Sequence, residues 1–144
     1  MKGEWNPKDT TTHQDHVIAH VMGATVLGYF LFEEALHLLL DMGFIWTIYL
    51  DGEMGLLSQG LLVEELDLDP EERQRVLADI DLLHEERAIA SGLSRMTPSP
   101  VKCLIREVIF FAKEDRRRLV LMGEEASLAV ESCLTTAEIL LYEF

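Results

Sequence analysis

His13, His16 and His20 are the residues in this chain whose type and spacing most directly suggest chemistry. On an ideal helix the three fall within roughly 60° of one face. His16 and His20, one turn apart, have the i, i+4 spacing that can chelate a divalent metal. His13 to His20 spans ~10 Å at the helical rise, which is long for three ligands on one ion. The glutamate that follows the first histidine in a zinc-protease HExxH pattern is absent. The structural alternative is that His13 and His16 are exposed first-turn residues and His20 packs in the core.

Two carboxylate-x-x-His pairs follow, Glu34 with His37 and Asp81 with His84. Di-iron helical bundles use such pairs, but with glutamates from other helices interleaved in a different chain order. A helix-end cluster in which Glu33 bonds His37 explains the first pair more simply. Tyr29, Glu33, His37 and Trp46 form a candidate ligand pocket in which His37 beside Glu33 would act as acid or base. The acidic run Glu64, Glu65, Asp67, Asp69 lacks the glycine that a calcium loop requires, and reads instead as the approach to a helix. Arg116, Arg117 and Arg118 follow Glu114 and Asp115, which partly neutralise them, so a salt-bridged face is expected rather than a phosphate site. No P-loop, GxGxxG turn, GxSxG elbow or CxxC pair occurs.

The elements that would position these residues start with Val17 to Leu40. This stretch is apolar on nearly every side and has no Lys or Arg, which predicts a long buried central helix. Thr12 and Asp15 would cap its start and Gly43 would end it. Gly23, Ala24 and Gly28 would form either a notch for a partner helix or a local kink. The charge-free part is shorter than the ~20 residues of a membrane span, and no basic flank orients it. Residues 44–57 read as a β-hairpin turning at Asp51-Gly52. Asp69-Pro70-Glu71-Glu72 is the clearest local signal, an N-cap, a first-position proline and two acids at a helix start. That helix would run to about Ala90, with Val76, Ile80 and Leu83 on its apolar face. Two further helices are expected over 100–122 and 124–142.

The expected fold is therefore mainly α: a bundle of about four helices around the central one, with one short hairpin. Residues 1–12 form a polar lead-in, partly laid against the body through Trp5 and Pro7, and 13–144 form a single domain. The composition, 49% hydrophobic and 26% charged, suits a globular chain with a core. The net charge is −14, and residues 33–87 hold fifteen Asp/Glu against three Arg. Such a surface disfavours nucleic acid and anionic membranes and favours a basic protein partner. Two cysteines and a polar N-terminus without an apolar signal core point to a reducing cytoplasm. The helix-pair geometry sets Cys103 and Cys133 apart as buried thiols. The apolar excess around central helix and hairpin implies a homodimer. Three functions are compatible with these residues: a non-catalytic interaction or oligomerisation domain, a protein binding a divalent metal through His13, His16 and His20, and a small-ligand binder or enzyme using the Tyr29–Trp46 pocket.

Overall fold

A computed structural model describes residues 4–32, 35–49, 56, 61–84, 93, 95–136 and 138–144. The chain is a β-sheet protein, not a helical bundle. Its elements are β1 (Asn6–Lys8), α1 (Thr12–Val21), β2 (Thr25–Phe32), β3 (Ala35–Leu40), β4 (Ile45–Tyr49), a 3-10 turn (Val63–Glu65), α2 (Pro70–His84), β5 (Thr97–Lys113), β6 (Arg116–Gly123), β7 (Leu128–Cys133) and β8 (Ile139–Glu143). The antiparallel sheet runs β4-β3-β2-β5-β6-β7-β8, with β1 also on β5. Long β5 is the spine. Its first half pairs with β2, and its second half pairs with β6 on one edge and with β1 on the other.

The expected central helix is three elements. A short helix, α1, is capped by Thr11, whose hydroxyl accepts from the Gln14 amide while the Gln14 side chain accepts from the Thr11 amide. It ends at Val21 because Gly23 adopts φ +87°, a conformation that side chains resist. The Gly23 amide then donates to Ile105 O at 2.8 Å, and the chain enters the sheet. In β3 every residue from Ala35 to Leu40 is buried. Leu36, Leu38 and Leu40 join one core with Trp46 and Ile48, and Leu39 joins a second with Phe30 and Ile45. A strand covered on both faces loses its polar/apolar alternation and reads like an all-round apolar helix. Gly43, expected to end a helix, is left-handed at φ +98° in the β3–β4 turn.

The two C-terminal helices are likewise four strands. In β5, Cys103, Ile105, Val108 and Phe110 all enter the first core. The step of three from Ile105 to Val108 comes from a bulge between Ile105 and Glu107. One extra residue in a strand converts a period of two into a local spacing that imitates a helix. Strand β4 falls within the expected hairpin segment, and the chain returns antiparallel to it at Ile48↔Leu56 and Ile45↔Leu61. The proposed turn at Asp51-Gly52 lies outside the described residues.

Two apolar cores hold the sheet. Helix α1 closes the first with Val17 and Val21. Helix α2 and residues 61–68 close the second with Val63, Leu66, Leu68, Val76 and Leu83. Each such side chain removed from water contributes about 1.5–3 kcal/mol. Asp69 Oδ1 accepts from the Glu72 amide at 2.8 Å and fixes where α2 begins. The lead-in is also anchored: β1 pairs with β5, and Trp5 lies under the Arg118 guanidinium, 3.9 Å from its ring centroid. No described helix is long and apolar enough to cross a membrane.

Candidate interaction site

Residues 61–69 carry the acidic run, and their burial alternates with charge. Leu61 is tied to Ile45 by hydrogen bonds of 2.8 and 2.9 Å. Val63, Leu66 and Leu68 then turn inward, leaving Glu64, Glu65, Asp67 and Asp69 exposed. Two of these acids also hold the backbone. Glu65 Oε2 accepts from the Leu62 amide at 2.7 Å, and Asp69 caps α2. The result is an acidic lip whose backbone is held by two of its own carboxylates and by the buried side chains between them.

Below the lip lies a cleft of about 240 Å³. Phe32, His37, Thr47 and Tyr49 line its sheet side, Leu61 and Leu66 its wall, and Glu65 and Asp67 its rim. Tyr49 is 40% exposed and accessible, whereas His37 is only 4% exposed. His37 stacks on Phe30 with centroids 4.9 Å apart. Its Nε2 lies 3.3 Å from Phe32 O and its Nδ1 2.9 Å from Thr47 Oγ1. A carbonyl only accepts, so Nε2 carries the proton and Nδ1 accepts from the Thr47 hydroxyl. Both ring nitrogens are committed, which makes His37 a poor acid or base.

Burial holds the His37 pKa below the ordinary histidine value, and the positive charge of Arg95 acts in the same direction. The unfolded chain therefore takes up a proton that the native state refuses. The resulting stabilisation is complete above about pH 6.5 and is lost as pH falls from there through the native pKa. Urea denaturation from neutral pH to pH 5 should show a slope of up to ~1.4 kcal/mol per pH unit from this group. His37→Leu should remove that component. An unchanged slope in the variant would show that His37 does not carry it.

The ligand pocket expected from sequence is not assembled. Tyr29 pairs with Leu38 and Leu38 with Trp46, whereas Phe30 pairs with His37 and His37 with Thr47. Cross-strand partners share a face, so Tyr29 and Trp46 lie on one side of the sheet and His37 on the other. Glu33, with Glu34, lies outside the described residues. His13, His16 and His20 are exposed on α1, including the one expected in the core. Among the described residues no three His, Cys, Asp or Glu side chains are grouped to hold a metal ion. Asp81 and His84 face solvent on α2. The arginine run is on β6, not on a helix. Arg116 and Arg118 each lie 3.8 Å from Glu131.

Cys103 and Cys133 are both buried free thiols. Cys133 Sγ is 3.3 Å from Asp115 Oδ2, and Thr135 donates to the same oxygen at 2.8 Å. These hydrogen bonds, Thr135 first, hold the Asp115 carboxyl below its usual pKa. They tie the β5–β6 turn to the end of β7.

Two polar residues that organise this region were missed from sequence. Asp79 is 1% exposed, and its Oδ2 accepts from the amides of Arg95 and Met96, both at 2.7 Å. Arg95 then reaches Glu72 at 2.8 Å and Leu31 O at 2.6 Å, with its guanidinium 5.2 Å above the Phe30 ring centroid. Asp79 lies three residues after Val76 and four before Leu83, so a carboxylate on the apolar face of α2 was the available signal. Comparison with family models, curated proteins and solved structures finds no match for this chain.

Proposed function

We propose that the chain is a non-catalytic protein-interaction domain that receives a basic segment of a partner at the acidic lip over the Tyr49 cleft. The observation that carries this reading is the alternation over residues 63–69. Apolar side chains lock the loop to the core, and carboxylates are held outward beside an opening lined by aromatic rings. A guanidinium or ammonium suits both features, since carboxylates attract it and an aromatic face stabilises it. The overall charge of −14 favours encounter with a cationic partner. The engaged nitrogens of His37 argue against an acid–base enzyme at this place.

A labelled peptide of alternating Arg and Leu, with a Glu/Leu peptide as control, tests this by fluorescence anisotropy. The basic peptide should bind selectively and weaken as salt is added. Glu64→Gln, Glu65→Gln, Asp67→Asn and Asp69→Asn combined keep the capping oxygens and remove only charge. Four lip charges at about 0.2–1 kcal/mol each predict roughly a fourfold or greater loss of affinity. Equal binding by the neutralised chain, or no preference between the peptides, would refute the reading.

A further inference from the structure

The two ends of the sheet are treated differently. At one end β4 is covered by bridges from Leu56 and Leu61. At the other end β8 has β7 on one side, and among the described residues no strand is hydrogen-bonded to its other side. The Phe144 amide donates to Ser127 O at 2.9 Å and the Cys133 amide to Glu138 O at 3.2 Å. Antiparallel alternation then assigns the backbone groups of Leu140 and Tyr142 to β7 as well. The N–H and C=O groups of Ile139, Leu141 and Glu143 therefore point away from the sheet. Proteins normally protect such an edge with lysine, proline, a bulge or a covering segment. The sequence Ile-Leu-Leu-Tyr-Glu has no lysine or proline, and its register with β7 is unbroken. Beside it, Leu140 is 57% and Phe144 54% exposed.

We propose that β8 pairs antiparallel with β8 of a second copy of this chain, about a two-fold axis through Leu141. In that register Ile139 faces Glu143 of the second copy, Leu140 faces Tyr142, and Glu138 faces Phe144. No like charges are opposed, and each exposed Leu140 gains an aromatic neighbour. The outward backbone groups are self-complementary because they alternate evenly about the central residue. This arrangement extends the sheet across both copies. Two chains of net charge −14 repel each other at long range, so salt strengthens this contact, the opposite of its effect on a basic partner at the lip.

Light scattering over the micromolar to submillimolar range, at low and high salt, tests the proposal. The intact chain should reach the dimer mass, at lower concentration when salt is high. Glu143→Pro removes one outward donor without touching the ladder to β7, and Leu140→Lys places a charge on the exposed face of β8. Each should raise the dimer dissociation constant at least tenfold while leaving the thermal midpoint of the monomer unchanged. A monomer at every concentration would overturn the proposal. A dimer that both variants leave intact would overturn it too, by placing the contact elsewhere.

Discussion

Gly28→Ala is expected to destabilise the protein by about 1–3 kcal/mol, the usual range for overpacking a filled site. A Cβ at Gly28 would lie 2.7 Å from Leu83 Cδ1 and 2.9 Å from the Thr97 carbonyl oxygen. The leucine methyl can rotate away, but the carbonyl belongs to the backbone of β5, where Gly28 pairs with Pro98. The sign is informative, because Gly→Ala at a permissive site stabilises by restricting the unfolded chain. Leu83→Ala alone should cost about 2–5 kcal/mol through the cavity it leaves. The two changes combined should cost less than their sum, since the smaller residue at 83 makes room for the new methyl. Urea denaturation of the four proteins in this cycle checks both statements. An alanine at 28 that is neutral or stabilising would show that α2 does not approach the sheet this closely.

Asp79→Ala should cost about 2–4 kcal/mol, because it strands two backbone donors that now share one carboxylate oxygen. The Met96 amide is buried with its residue, so water does not replace the lost acceptor. The damage should be local before it is global. Residues 95–96 lead directly into β5, where Thr97 pairs with Tyr29, and Arg95 connects this corner to Glu72 and Leu31. Amide exchange at Met96 should accelerate strongly in Asp79→Ala, while amides of β6 and β7 follow only the global loss of stability. Asp79→Asn keeps a carbonyl acceptor and should recover part of the effect. Slow exchange at Met96 in the alanine variant would remove Asp79 as the latch between α2 and the sheet.

The start of α2 was legible because its signals are local. Asp69 caps, Pro70 needs no hydrogen-bond partner at the first position, and Glu71 and Glu72 meet the helix dipole within the first turn. The acidic lip was legible as a charged segment, and its partition into inward Val63, Leu66 and Leu68 and outward acids follows from charge. Asp79 was readable in principle, as a carboxylate on an apolar helix face, but not its two amide partners sixteen and seventeen residues away.

What the sequence determined by itself was the set of interactions completed within a few residues: the N-cap and first turn of α2 and the outward placement of Glu64, Glu65, Asp67 and Asp69. What only the tertiary structure decided was whether residues 17–40 and 100–142 became helix or sheet. Burial of β3 between two cores removes the alternation that marks a strand, and the bulge in β5 gives its apolar residues a helical spacing. Both effects depend on partners distant in the chain. They also separated Tyr29 and Trp46 from His37, because strand pairing assigns neighbouring positions to opposite faces of the sheet.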